Sequence, residues 1–235
     1  MNVAIIPARA GSKRIPGKNI KSFVGKPIIV WSIEAAKSTG IFDRIIVTTD
    51  SQKIANVANK YGAETPFARP ADLSDDHTPT APVIYHCLDW LREQGTPADY
   101  ACCIYATAPF VQAAFIKEGY DLLVARKVSS VFSVTTFPFP ILRALRIEDD
   151  GHLSMLWPEH ELTRSNDLPE SFHDAGQFYW LECNTFLKDK RLYGKDALPV
   201  ILPRYLVQDI DTPEDWLTAE YMFKALQQQY KGGVR

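Results

Sequence analysis

The stretch Pro7-Ala8-Arg9-Ala10-Gly11-Ser12-Lys13-Arg14-Ile15-Pro16-Gly17-Lys18-Asn19 concentrates cations, and Lys21 and Lys26 follow before any acid appears at Glu34. The whole chain carries a net charge of -2, so this enrichment is local. Gly11 and Gly17 let backbone N–H groups come close to an anion, and the side chains neutralise it. A polyphosphate is the ligand of that shape and charge. Far along the chain, Asp209 and Asp211 stand two apart. On an extended segment that spacing puts both carboxylates on one face. Two hard oxygen ligands plus substrate phosphates are a usual way to hold Mg²⁺. The plainer alternative is that Asp211 only caps a helix beginning near Pro213.

Other chemistries fit less well. A GxxxxGK[ST] phosphate loop needs Ser or Thr where Asn19 stands, and the prolines oppose its smooth entry into a helix. No GxGxxG fingerprint is present. The histidines lack an HExxH-type pairing, and Cys87, Cys102, Cys103 and Cys183 lack CxxC spacing, which argues against zinc. Those cysteines read as reduced, buried thiols of a cytoplasmic protein, with Cys102 and Cys103 on opposite faces of a strand. A pI near 6.2 argues against nucleic-acid binding. No secretory leader is legible, and no stretch approaches the roughly 20 apolar residues of a membrane span.

The elements that must position these groups follow from periodicity. Val3–Ile6, Arg44–Thr48, Ala101–Tyr105 and Ser130–Thr136 read as strands. Between them lie helices from Pro27 to Gly40, from Ser51 to Tyr61, near 81–93 and near 113–125. This alternation predicts an α/β fold with a Rossmann-like, mostly parallel sheet. Phe137-Pro138-Phe139-Pro140 breaks the rhythm. Asp149-Asp150-Gly151 then marks a hairpin between 142–147 and 152–156. Residues 138–172 therefore read as an inserted β-ribbon and irregular arm, and a ribbon so short needs packing, plausibly against a second subunit. Residues 1–137 and 173–235 make the nucleotide-binding domain. It resumes with strands at 177–183, 198–202 and 207–210. A helix starts at Thr212-Pro213-Glu214-Asp215, with Trp216, Ala219, Phe223 and Leu226 on its buried face. A loose tail is expected from Lys231.

The stretch from Pro7 to Asn19 closely resembles the signature of the acylneuraminate cytidylyltransferases, the CMP-sialic acid synthetase family. Arg69-Pro70 with Leu73, Thr107-Ala108-Pro109, and Asp209-Ile210-Asp211 occur in the family's order, so the resemblance spans essentially the whole chain. Thr163–Pro169, His173–Trp180 and Tyr105–Pro109 look most like the pseudaminic acid branch. Sialic acid enzymes typically have Gln-Pro-Thr-Ser-Pro where Tyr105-Ala106-Thr107-Ala108-Pro109 stands, so Tyr105 replaces a glutamine near the sugar. Sialic acid, legionaminic acid and Kdo are the alternative substrates. A non-catalytic nucleotide-binding protein is the rival of another class.

The resemblance implies coupling of CTP to a nine-carbon acidic sugar, with Mg²⁺ on Asp209 and Asp211 and a homodimer with a small β-ribbon dimerisation insert. It places Arg9, Ser12 and Lys18 near phosphates, Asn19 near cytosine or ribose, and Arg69 at the base. The charge of Lys13 and Arg14 suits the same triphosphate, and Thr78 is within plausible reach of the ribose. Lys18, Arg9 and Asp211 are the expected catalytic groups. Tyr105, Asp174, Gln177 and Tyr179 are the expected sugar contacts, with Arg164 supplied by the insert of a partner. Phe178 and Trp180, alternating with Gln177 and Tyr179, are expected in the core.

Overall fold

The computed structural model describes residues 1–231; the expectation for the tail beyond Lys231 lies outside them. The first half alternates β1 (Asn2–Pro7), α1 (Ile28–Thr39), β4 (Arg44–Thr48), α2 (Gln52–Lys60), α3 (Thr80–Glu93), β5 (Tyr100–Ile104), α4 (Ala113–Arg126) and β6 (Ser130–Thr136). Between β1 and α1 sits a small hairpin, β2 (Ser22–Phe23) with β3 (Lys26–Pro27). After β6 come β7 (Leu145–Ile147), β8 (Leu153–Met155), β9 (Phe172–Glu182), α5 (Cys183–Asp189), β10 (Leu198–Ile201) and α6 (Pro213–Lys231).

Six strands form one sheet in the order β10-β6-β9-β5-β1-β4. Only β9 runs antiparallel to its neighbours. Both faces are covered, as a largely parallel sheet requires. Ala4, Ile6 and Cys102 pack on one side with Ile29, Ile33 and Ile54. Val3, Ile5 and Cys103 pack on the other with Ile84, Leu88 and Phe186. The adjacent cysteines therefore do face opposite ways, and all four thiols are buried and unpaired. Phe178 and Trp180 are fully buried core residues, and Trp180 Nε1 donates to the Ile116 carbonyl at 2.8 Å. No described helix is long and apolar enough to cross a membrane.

The structure corrects the sequence reading in four places. The strand expected at 177–183 begins at Phe172 and ends at Glu182. Its missing first half is hidden by an irregularity opposite Ser133, where pairing jumps from Phe132↔Tyr179 to Val134↔Asp174. Such a bulge breaks the period-2 pattern that would reveal a strand. Residues 207–210 belong to no strand; they follow a single turn at Arg204–Leu206. Helix α5 escaped notice because Glu182, not Ser or Asp, caps it, accepting from Asn184 and Thr185 N–H. The hairpin at 142–147 and 152–156 forms over a shorter span, β7 pairing with β8.

Gly119 shows how tightly α4 meets the sheet. A Cβ there would lie 2.9 Å from Trp180 Cδ1 and 3.1 Å from Phe178 Cε2. Both rings are fixed in the core. Gly119→Ala should therefore lower stability by about 1–3 kcal/mol despite alanine's better helix propensity. A thermal melt that rises would contradict this packing.

Candidate active site

The loop after β1 is fixed before any ligand arrives. Ile15, 2% exposed, plugs it into a cluster with Phe23, Phe110, Trp216 and Phe223. Gly17 takes a left-handed conformation (φ 64°) that a side chain would strain. Asn19 Nδ2 donates to the Arg9 carbonyl at 2.9 Å, tying the ends of the loop together. Ala10 N–H donates to Asp50 at 2.9 Å. Lys18 Nζ crosses to the far end of the chain, donating to the Ile210 carbonyl at 2.6 Å and to Asp211 at 3.3 Å.

A cleft of about 270 Å³ opens beside this loop. Arg9, Ser12, Lys13, Arg14, Lys18 and Asn19 line one side, and Arg69 and Thr78 line it too. All eight expected nucleotide residues thus meet in one place, with Asp211 at the rim. The cations are engaged by acids. Asp76 pairs with Arg9 at 2.6 Å and with Lys13, while Asp211 pairs with Arg14 at 2.9 Å. Exposed pairs of this kind contribute about 1 kcal/mol or less. A polyphosphate carrying several charges can replace them. The pairing role of Asp76 was not read from the sequence, because an acid in a polar loop has no periodicity to mark it.

Arg69 is the one group here that the protein leaves incomplete. It is 6% exposed, its Nε donates to Ser74 Oγ at 3.1 Å, and its Nη2 has no partner. Burial lowers its pKa, opposed by the charge of Asp50 and aided by Arg9. A buried cationic N–H without an acceptor is costly, and it is tolerated where a ligand supplies the acceptor.

A second cavity of about 440 Å³ adjoins the first, with Tyr105 and Thr107 lining both. Asp174, Gln177, Tyr179 and Asp209 also line it. Gln177 is buried and gives its Nε2 to the Leu206 carbonyl at 2.5 Å, so much of its capacity serves the fold. Tyr105 shares a hydrogen bond with Thr80 at 3.0 Å, and its ring lies 5.3 Å from that of Tyr179. Burial raises the pKa of Tyr105. Arg164 is not brought here. It lies exposed in the segment between β8 and β9, held by Asp167 at 2.7 Å, and lines neither cavity.

Asp209 lines the second cavity and Asp211 the first, so the pair straddles the junction without a strand beneath it. Desolvation raises the pKa of Asp209, and the charge of Asp211 adds to this while Lys18 opposes it. Two carboxylates that repel each other beside a polyphosphate-sized cleft fit a hard divalent cation. No group of three or more His, Cys, Asp or Glu suited to a metal occurs among the described residues.

Residues 3–224 match the sequence model of the cytidylyltransferase family. The chain belongs to that family. It is 40% identical over 223 residues to the pseudaminic acid cytidylyltransferase of Campylobacter jejuni, covering 95% of this chain and 96% of that one. It is 32% identical to the CMP-N,N'-diacetyllegionaminic acid synthase of Legionella pneumophila, over 96% and 97% of the two chains. Among solved structures, CMP:2-keto-3-deoxy-manno-octonic acid synthetase complexed with CTP superposes with a TM-score of 0.69 at 15% identity, over 95% of this chain and 98% of that one. That likeness establishes the fold: the Rossmann-like, mostly parallel sheet expected from the sequence.

The open Nη2 of Arg69 makes a specific prediction for this cytidylyltransferase. Arg69→Met removes a buried charge while filling much of the same volume. Nucleotide binding measured calorimetrically should weaken at least tenfold. The thermal melt without nucleotide should stay level or rise. Unchanged CTP affinity would make Arg69 a purely structural residue.

Proposed function

We propose that this protein transfers the cytidylyl group of CTP to a nonulosonic acid, with pseudaminic acid as the favoured substrate. The observation that carries the reading is the pair of adjoining cavities with Asp209 and Asp211 at their junction. The 40% identity to a named pseudaminic acid cytidylyltransferase over nearly the full length supports the choice of sugar. Tyr105, where sialic acid enzymes typically carry glutamine, supports it as well.

CTP fills the smaller cavity. Its triphosphate replaces Asp76 on Arg9 and Lys13, Ser12 and Arg14 flank the same path, and Arg69 gives its open N–H to the nucleotide. Asn19 and Thr78 face the cytosine and ribose. The anomeric hydroxyl of the sugar attacks the α-phosphorus: a C–O–P bond forms, the bond to the β-phosphate oxygen breaks, pyrophosphate leaves, and the hydroxyl proton passes to solvent. Such reactions depend mainly on alignment and on stabilising charge. Lys18 and Arg9 hold the phosphates against that charge, while Asp209 and Asp211 would hold a magnesium ion. When bound, the ion supplies further charge neutralisation.

The second cavity takes the sugar, but no Lys or Arg among the described residues lines it, while Asp174 and Asp209 both do. An acidic sugar needs a cation there. The arm between β6 and β9 exposes Leu145 (56%), Ile147 (74%), Leu153 (66%) and Leu162 (94%). A second subunit covering that surface makes a homodimer and brings its own Arg164 to this cavity. The four unpaired thiols suit a cytoplasmic setting.

Two experiments test this reading. Pyrophosphate release should require CTP over UTP, GTP or ATP, and should be fastest with pseudaminic acid among sialic, legionaminic and eight-carbon acids. Asp211→Asn should lower turnover by at least two orders of magnitude with the melt unchanged; near-normal release would remove the metal assignment. For the dimer, light scattering should give twice the 26.5 kDa chain mass. Arg164→Ala should raise KM for the sugar and leave that for CTP alone. A monomer at micromolar concentration would end the shared-site account.

A further inference from the structure

Asp174 sits at the edge of the larger cavity in an unusual setting. It is exposed, yet its carboxylate accepts from three donors. Gly176 N–H reaches Oδ1 at 2.8 Å, and the Tyr179 hydroxyl lies 2.9 and 2.8 Å from Oδ1 and Oδ2. The Tyr193 hydroxyl donates to Oδ2 at 2.5 Å. The bulge of β9 makes this possible, turning Asp174 back toward Tyr179 five residues on. Ser133 fixes the bulge, accepting from Phe178 N–H at 3.1 Å.

Tyr193 comes from a different part of the chain, the loop between α5 and β10. It has no sequence signal: a tyrosine among Lys190, Arg191 and Gly194 reads as an ordinary surface residue. The loop nevertheless holds it firmly. Gly194 N–H donates to Ser130 Oγ at 3.1 Å, and Asp196 accepts from Ser129 N–H at 2.9 Å. A Cβ on Gly194 would lie 1.9 Å from Ser129 Oγ, so only glycine lets the loop approach this closely. The Tyr193 ring then packs edge-on against Phe132, with centroids 4.9 Å apart.

Resting on the function proposed above, we infer that Asp174 reads an acylamino N–H of the sugar and that Tyr193 is its positioning residue. An ionised carboxylate only accepts, so it selects a donor. Ala108, Phe110, Ala175 and Val207 line the same cavity and offer apolar surface beside that acceptor. A donor attached to an apolar body is an acylamino group; a bare hydroxyl supplies the donor without the body. Tyr179 and Tyr193 hold the carboxylate in place, so the sugar does not bear the entropy of ordering it. Because Asp174 is exposed, it is a reader open to ligand rather than an internal brace.

The test compares the native protein with Tyr193→Phe and Asp174→Asn, using an acylamino nine-carbon acid and an eight-carbon acid bearing only hydroxyls. Tyr193→Phe removes one hydroxyl and keeps the ring, so the melt serves as its folding control. It should raise KM for the acylamino sugar about tenfold, with kcat and the KM for CTP nearly unchanged. Asp174→Asn should narrow the preference for the acylamino sugar over the hydroxyl-only sugar by tenfold or more. Equal losses with both sugars, or a matching rise in KM for CTP, overturn the assignment while the proposed function stands. A native protein that neither binds nor turns over any acidic sugar overturns both.

Discussion

The bond from Lys18 to the Ile210 carbonyl, 192 residues away, is the contact on which the site depends. It ties the cationic loop after β1 to the segment that carries Asp209 and Asp211. Without that tie the two halves of the chemistry would sit on separate surface loops. Lys18 also lies 3.3 Å from Asp211, so a single ammonium both fixes the geometry and offsets part of the carboxylate charge. The apolar counterpart is Ile15 in the cluster with Trp216 and Phe223, which docks α6 beneath the same loop. Polar and apolar contacts thus converge on one result: the cationic loop is held against the segment that carries the two aspartates.

Charge then organises the two cavities differently. The smaller one is strongly cationic and its cations are occupied by Asp76 and Asp211. Those pairs are partly exposed, so their contribution is small and a polyphosphate replaces them at little cost. The larger one has carboxylates and hydroxyls, and no Lys or Arg lines it among the described residues. On the proposed assignment an anionic nucleotide meets the cationic cavity, while the donors of the sugar meet the acceptors of the other and its carboxylate needs a cation from a second subunit. Tyr105 and Thr107 line both cavities, so in the proposed reaction the two substrates meet there.

The sequence made the nucleotide half legible because its chemistry is contiguous. Arg9 to Asn19 is one uninterrupted motif, and strand–helix alternation around it follows simple periodicity. All eight residues expected at the nucleotide line the same cleft. The sugar half was only partly legible because long-range pairing builds it. The β9 bulge hid the strand bearing Asp174, and the strand expected at 207–210 is a coil because β10 already ends the sheet. Tyr193 could not be read at all: its role exists only because Gly194 lets its loop press against Ser129. Arg164 was assigned by resemblance, and within one chain its guanidinium turns to Asp167 instead.

The same contrast explains how one fold can serve several acidic sugars. The phosphate-binding face rests on β1 and its loop, which the core and α6 fix from below. Little there can change without disturbing the fixed shape of the loop. The proposed sugar face rests on the bulge between β6 and β9, the 190–197 loop and the exposed arm, all away from the β5–β1–β4 ladder. Substitutions at Tyr105, Asp174 or Tyr193 alter hydrogen-bonding capacity while leaving the β5–β1–β4 ladder untouched. On the proposed assignment, selectivity can therefore vary at the sugar face while transfer chemistry stays with the loop and the two aspartates.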